Sequence, residues 1–156
     1  MTVTTLPDND IEIPELAIKA GDVFLGPSKT LTDTHFTLFS AITNDMHPIH
    51  YDLEYARATQ FGRPLAHGLL LNGLTALGAT AAVGLIHGFV IVEQGSRFLA
   101  PAMVGDTLQP KLTIERIWRD GARIFCRIRT ELTNQREETV LEGFHLYRVF
   151  DTPAVP

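Results

Sequence analysis

The sequence predicts a single α+β domain in which an antiparallel β-sheet wraps around a long buried central helix. Two observations lead to this prediction. Residues Pro64 to Val92 contain no Asp, Glu, Lys or Arg, and a helix that is apolar on every side must be buried on every side. Three strand-length runs follow, and in a chain of 156 residues only a sheet is large enough to cover such a helix.

Two short helices joined by a polar corner are expected before the apolar run. Thr32 or Asp33 caps the first, over "THFTLFSAIT", and Asp52 caps the second, over "LEYARATQF", which ends at Gly62. The corner between them, "TNDMHPIHYD", gathers titratable side chains around one proline. Turn formation alone explains many such clusters. This corner, however, lies just before the N-terminus of the buried helix, where backbone N–H groups are free and the helix dipole is positive.

The apolar run itself divides into a helix and a strand. Gly68 to about Val83 is expected to be helical, and Phe89 to Glu93 is expected to be a β-branched strand after a glycine-bearing turn. The run is also long enough for a transmembrane helix. That alternative is disfavoured because the run is rich in Ala, Gly and Thr and includes His67, Asn72 and His87.

Further strands of the antiparallel sheet are expected after the run. The segment "GSRFLAPAMVGD" is typical of a strand that stops at Pro101, before a Gly105-Asp106 turn. Three more runs, "DTLQPKLTIERIW", "ARIFCRIRTEL" and "TVLEGFHLYRVF", alternate in polarity or are enriched in β-branched and aromatic residues. Asp120-Gly121 predicts a hairpin between the first two, and "TNQRE" connects the second to the third.

Composition restricts the classes of partner. The formal net charge is -5, with 45% hydrophobic and 20% charged residues, a globular profile without the basic excess that nucleic-acid binding requires. The acidic balance also argues against an anionic membrane surface. Cys126, the only cysteine, lies in an alternating run, so we expect a packed thiol and no disulfide. The first residues lack the apolar region of a secretory signal, so a cytoplasmic location is expected.

Three motifs, in this order, resemble the MaoC-like hydratases, also called the (R)-specific enoyl-CoA hydratase family, which have the hotdog fold. They are "NDMHPIHYD", "GRPLAHGLLL" and "RFLAPAMVGDTL". The resemblance covers about Gly21 to Phe150. It implies an N-terminal extension at residues 1–20, a MaoC-like hotdog hydratase domain at residues 21–150 and a C-terminal tail at residues 151–156. Thr43-Asn44 and His47 depart from the family pattern, which puts the local hydrogen bonding and substrate preference in question.

The chemistry of hydration agrees with what the resemblance implies. Adding water to the double bond of an enoyl thioester needs a base for the water, an acid for the α-carbon and donors for the thioester oxygen. Asp45 and His50, on a corner that Pro48 stiffens, are expected to be catalytic and to hold one water between them. The backbone N–H of Gly68 is expected to bind the thioester oxygen. The resemblance implies a (3R)-hydroxyacyl-CoA product, with coenzyme A as part of the substrate and no other cofactor.

Other polar residues near the corner are candidates for substrate binding. They are His67, Asn44 and His47, although His67 also fits an imidazole that orients the loop, and His47 also fits a solvated side chain. Asp52 is expected to serve as a helix cap. Three histidines near a carboxylate also suggest a metal site, but His47 and His50 show no recognisable ligand spacing, so no metal is expected.

Two other functions remain open at this point. In thioesterases of this fold, the resemblance implies an acidic residue on the central helix, and Gly68 to Val83 contains none. A non-catalytic subunit that binds acyl groups would be expected to lack Asp45 or His50, and this chain has both. One hotdog layer leaves a sheet edge uncovered, so a homodimer or higher homo-oligomer is expected.

Overall fold

The computed structural model describes residues 16–86 and 88–150, which contain one six-stranded antiparallel sheet. Most of the predicted N-terminal extension and the whole predicted C-terminal tail lie outside these ranges. The strands are β1 (Val23–Leu25), β2 (Lys29–Thr30), β3 (Gly88–Phe98), β4 (Thr107–Asp120), β5 (Arg123–Asn134) and β6 (Thr139–Phe150). Their order across the sheet is β1-β4-β5-β6-β3, and β2 pairs with β4.

The alternation of apolar and polar side chains along each long strand determines which face of the strand packs against the core. In β5, the even-numbered residues from Ile124 to Asn134 are buried, and their odd-numbered neighbours are half-buried or exposed. The predicted Asp120-Gly121 turn joins β4 to β5, and Gly121 has a φ of 56° that favours glycine. Cys126 is buried in this face, and burial raises the pKa of its thiol to about 12. The packed thiol is therefore confirmed.

Strand β3 lies at one edge of the sheet and pairs along its length with β6. It joins two segments that were predicted as separate strands, Phe89 to Glu93 and the run that follows it. A register shift between Ile91 and Glu93 leaves one extra residue in β3 at this point. A bulge of this kind lets one continuous strand bend where the sequence pattern changes phase.

Helices α1 (Asp33–Thr43) and α2 (Leu53–Arg57) stand on either side of the polar corner, as predicted. Asp52 caps α2, because its Oδ1 accepts a hydrogen bond from the N–H of Tyr55 at 3.0 Å. Helix α2 is shorter than the predicted run to Gly62. The hydroxyl of Thr59 donates to the carbonyl three residues earlier at 2.7 Å, a local bond that competes with a further helical turn.

The predicted central helix is the element that differs most from the structure. Only Gly68–Gly73 forms an α-helix, α3, and two short 3₁₀ turns follow at Leu77–Ala79 and Ala81–Gly84. The hydroxyls of Thr75 and Thr80 each donate to the carbonyl three residues earlier, at 2.7 and 2.8 Å. Such bonds, together with four glycines between residues 68 and 84, favour tight turns over a continuous α-helix.

The segment from α3 onward is buried on one side only. Leu71, Leu77 and Ala82 face the sheet, whereas Leu69 is 66% exposed. The expectation of a helix covered on every side therefore does not hold for the single chain. In the ranges that the structure describes, no helix is long and apolar enough to cross a membrane.

Two hydrophobic clusters attach the helical layer to the sheet. One packs Leu77 and Ile86 against the inner faces of β4, β5 and β6. The other joins Phe36 of α1 and Leu71 of α3 to Leu132 and its neighbours. A fully buried side chain of this size contributes about 1.5–3 kcal/mol. The second cluster fixes both α1, which leads into the polar corner, and α3, which begins soon after α2.

Candidate active site

The corner between α1 and α2 is built from side chains that bond to their own backbone. Asn44 ends α1 in the left-handed conformation, with a φ of 60°. Pro48–His50 then forms a 3₁₀ turn, and Nδ1 of His47 accepts from the N–H of Ile49 at 3.3 Å. Asn44 and His47 were predicted as substrate-binding candidates, and both here shape the corner.

Asp45 and His50 face each other across this corner. The distance from Oδ2 of Asp45 to Nε2 of His50 is 3.9 Å, and their side chains are 50% and 13% exposed. Nδ1 of His50 lies 2.8 Å from the carbonyl oxygen of Leu65. A carbonyl only accepts, so Nδ1 carries a proton, and in the neutral ring Nε2 is an acceptor directed at the carboxylate.

His67 lies beneath this pair and is 2% exposed. Its Nε2–H donates to the backbone carbonyl of Asp45 at 3.3 Å and lies 3.0 Å from Oγ of Ser40. Its ring stacks on that of His50 with centroids 3.6 Å apart. Burial, and then the charge of His50, lower the pKa of His67. The interpretation that His67 orients the loop agrees with these contacts.

Gly68 begins α3 directly after His67, as the sequence predicts. An N–H at the first helical position has no partner within the helix, so it is free to bind an oxygen atom. A Cβ at this position would lie 3.1 Å from Cζ of Phe98. The glycine therefore permits the close approach of β3, and an apolar cavity of about 300 Å³ opens beside it, between Gly68, Leu71, Phe98 and Ala100.

The cluster of Asp45, His50 and His67 also has the spacing of a metal site. Each residue offers one ligand atom, and these atoms lie within 4.8 Å of one another. The hydrogen bonds restrict that use, because Nδ1 of His50 and Nε2 of His67 both face carbonyl oxygens. Within the described residues, a cation would therefore have to use the remaining ring nitrogens and the carboxylate of Asp45.

Two groups of the site were not predicted from the sequence. Ser40 bonds His67 from α1 and is itself buried. A signal for it exists, because Ser40 follows Phe36 by four residues and so places a polar group on the apolar face of the helix. The carbonyl of Leu65 has no such signal, since every residue has one.

Comparisons with known proteins agree with this arrangement. The family described as "MaoC like domain" matches residues 17–139. The chain is 29% identical over 119 residues to the (R)-specific enoyl-CoA hydratase of Rhodospirillum rubrum, covering 73% of this chain and 81% of that protein. It is 32% identical over 124 residues to the 3-hydroxybutyryl-CoA dehydratase of Methylorubrum extorquens, covering 78% and 74%.

Solved structures show the same fold. The (R)-hydratase from A. caviae involved in PHA biosynthesis superimposes with a TM-score of 0.76 at 24% identity, over 86% of this chain and 98% of that chain. The monoamine oxidase regulatory protein from Archaeoglobus fulgius gives a TM-score of 0.76 at 29% identity, over 88% and 94%. The predicted hotdog fold is thus confirmed for the antiparallel sheet, but not for the long buried central helix, of which only Gly68–Gly73 is α-helical. With its family match spanning residues 17–139, the chain belongs to the MaoC-like domain family.

Proposed function

We propose that the protein is a hydro-lyase that reversibly adds water to a trans-2-enoyl-CoA, or a related unsaturated acyl-CoA thioester, and forms a (3R)-hydroxyacyl-CoA. The observation that carries the proposal is the pair of acceptors, Oδ2 of Asp45 and Nε2 of His50, that face each other at 3.9 Å. A water molecule has two hydrogens, so one water between these atoms donates one hydrogen to each. The names of the relatives support the same class of reaction.

The pair acts on this water as a base and then as an acid. One proton moves to the pair as the water oxygen bonds to the β-carbon, and the double-bond electrons shift toward the thioester oxygen. A proton from the pair is then delivered to the α-carbon, so the net change is the addition of H and OH. General acid–base catalysis of this kind increases the reaction rate by about 10²- to 10⁴-fold. Both groups reach the double bond from one corner, so the addition is expected to be syn.

The start of α3 supplies the donor for the developing negative charge. The N–H of Gly68 binds the thioester oxygen, and loss of such a donor costs about 3 kcal/mol in other enzymes. The apolar cavity beside Gly68 and Phe98 accommodates the acyl carbons next to the thioester. The (3R) product follows if the substrate presents the matching face, as the names of the (R)-specific relatives support.

We expect the active form to be a homodimer that pairs through β3. Within the described residues this strand pairs on one side only, with β6, and pairing with a second copy would cover its other edge. The second copy would also lie beside the groove between α3 and β3, where the cavity next to Gly68 and Phe98 opens.

Hydration of crotonyl-CoA tests the proposed function. The absorbance of the enoyl thioester is expected to fall on addition of the protein, and the product should resist an (S)-specific hydroxyacyl-CoA dehydrogenase. Release of free thiol without hydration would instead identify a thioesterase. If neither signal changes across a panel of enoyl-CoA substrates, the chain is a non-catalytic subunit and the proposal fails.

A further inference from the structure

A second cavity of about 310 Å³ lies further along the same groove between the central segment and β3. The first cavity is beside Gly68 and Phe98, and the second is lined by Ala76, Leu77 and Ile91. Between them, Oγ of Ser96 donates to Oδ1 of Asn72 at 2.6 Å. Asn72 lines the second cavity and lies four residues after Gly68 within α3, a rise of roughly 6 Å. The second cavity therefore begins within reach of an acyl chain whose thioester oxygen is bound at Gly68.

The floor of the second cavity is a chain of hydrogen bonds with assignable protons. The hydroxyl of Thr75 donates to the carbonyl of Asn72 at 2.7 Å, so its oxygen accepts from Nε2–H of His145, 3.3 Å away. Nδ1 of His145 then accepts from the hydroxyl of Tyr147 at 3.3 Å. The N–H of Leu77 donates to the same phenolic oxygen at 3.4 Å. Burial lowers the pKa of His145, which keeps this ring neutral.

Two polar groups on the cavity wall retain unused hydrogen-bonding capacity. The phenolic O–H of Tyr147 donates a hydrogen bond to His145, and its oxygen accepts from the N–H of Leu77, which leaves one lone pair on that oxygen. Oδ1 of Asn72 accepts from the hydroxyl of Ser96 at 2.6 Å, and in this orientation the Nδ2 hydrogens remain as donors. The wall thus presents one acceptor and one donor beside the apolar side chains of the lining, while both ring nitrogens of His145, the third polar residue there, are engaged in hydrogen bonds.

We propose that this cavity binds the tail of the acyl group and selects a tail that carries a neutral hydroxyl. A hydroxyl donates and accepts at once, so it matches both the Tyr147 oxygen and the Asn72 amide. A carboxylate only accepts, and the described residues that line the cavity include no Lys or Arg to offset its desolvation. A methyl group would leave both wall groups without a partner. The inference rests on the proposed function, because it concerns the far end of the same substrate.

The test compares two medium-chain trans-2-enoyl-CoA substrates of equal length, one ending in a methyl group and one in a hydroxyl, with crotonyl-CoA as a short reference. For the unaltered protein, kcat/KM is expected to be roughly three- to tenfold higher for the hydroxyl tail, the value of one net hydrogen bond. Tyr147→Phe removes the acceptor, and Asn72→Asp replaces the donor with an acceptor. Each of these two variants is expected to lower the ratio of kcat/KM for the hydroxyl tail to kcat/KM for the methyl tail to one or below.

Tyr55→Phe is the matched control, since it makes the same chemical change at an exposed position on α2, outside the cavity and outside the polar corner. The ratio should remain that of the unaltered protein in this variant. Equal kcat/KM for the hydroxyl and methyl tails in the unaltered protein would overturn the inference. So would an unchanged preference for the hydroxyl tail in whichever of the two cavity variants folds. In both cases hydration of crotonyl-CoA would still support the proposed function. Failure to hydrate any of the three substrates would overturn both.

Discussion

A single backbone group determines the chemistry of His50. The carbonyl of Leu65 accepts from Nδ1 at 2.8 Å, so the other ring nitrogen, Nε2, is the atom that faces Asp45. The ring of His67 stacks on that of His50 with centroids 3.6 Å apart and adds a second restraint on its orientation. The position and tautomer of His50 therefore depend on its neighbours as much as on the residue itself.

At the residue scale, Asp45→Asn and His50→Ala are each expected to lower kcat on crotonyl-CoA by at least about 10²-fold. In the proposed mechanism both residues act on the same water, so the double variant should be scarcely slower than either single variant. Far-ultraviolet circular dichroism and thermal unfolding check that the fold is retained, since neither side chain anchors the core. Substantial hydration by either single variant would remove that residue from the mechanism.

The sequence was sufficient to predict Asp45, His50, His67 and Gly68 as neighbours, because they lie on two short segments that the fold must bring together. It was not sufficient to assign Asn44, whose conformation ends α1 and is set by its own backbone. The role of Leu65 depends on its backbone carbonyl, which every residue has, so the residue type does not predict it. Local pattern therefore locates the site, and packing decides which polar groups are structural.

At the element scale, the strands were more predictable than the central segment. Alternation specifies both the conformation of β5 and the face that it buries. The absence of charge in the run from Pro64 to Val92 indicates burial. The run has no alternation of polar and apolar residues that would distinguish one long helix from α3 followed by tight turns. The bonds of Thr75 and Thr80 to carbonyls three residues earlier decide that question, and they depend on rotamers that the sequence does not specify.

The turn before β4 gives an element-scale prediction. Asp106 is buried, with Oδ2 accepting from the N–H of Met103 at 2.9 Å and Oδ1 from Gln135 at 3.1 Å and Arg136 at 3.3 Å. Burial alone would raise the pKa of this carboxyl, but the hydrogen bonds outweigh it and hold the pKa below its ordinary value. Asp106→Asn is expected to lower the free energy of unfolding by about 1–3 kcal/mol, measured in urea.

Asp120→Asn is the control for this experiment, because it makes the same chemical change at the exposed end of β4. Surface substitutions of this kind usually change stability by about 0.5 kcal/mol or less. Equal stability losses in the two variants would show that the contacts of Asp106 contribute nothing beyond the loss of a charge.

At the scale of the whole molecule, the two edges of the sheet differ. The edge formed by β1 is three residues long, whereas β3 presents eleven residues. Val90, Ile91 and Val92 of β3 are each about half exposed, and Phe98 and Leu69 extend this apolar surface. A long apolar edge of this kind is normally paired or covered in a stable protein.

Sedimentation velocity is expected to show a dimer at micromolar concentration. Val90→Lys should shift the protein toward the monomer, because it places a charge on the edge that the second copy would cover. Val23→Lys makes the same change on the β1 edge, where the native side chain is exposed to a similar degree, 52% against 48%. Dissociation by both variants, or by neither, would contradict pairing through β3.

The buried histidines give the molecule a pH dependence of stability. Burial lowers the pKa of both His67 and His145 in the folded state, so below about pH 6.5 the unfolded chain binds more protons than the folded chain. The stabilisation is therefore fully present above that pH and is lost as the pH falls. Urea unfolding from pH 8 to pH 5 should show a declining free energy, with a shallower decline in His145→Gln. A flat or rising profile would contradict this account.

The order of strands in the sheet also constrains how the chain is synthesised and refolds. Strand β3 is synthesised before β4, yet among the described residues it pairs with β6 alone, which is synthesised after β4 and β5. We expect the meander of β4, β5 and β6, which has tight turns, to form first and the uncharged segment from Pro64 to Val92 to stay uncovered until it packs on that meander. We expect refolding yield to fall steeply with protein concentration, because that waiting segment is the surface through which unfinished chains associate.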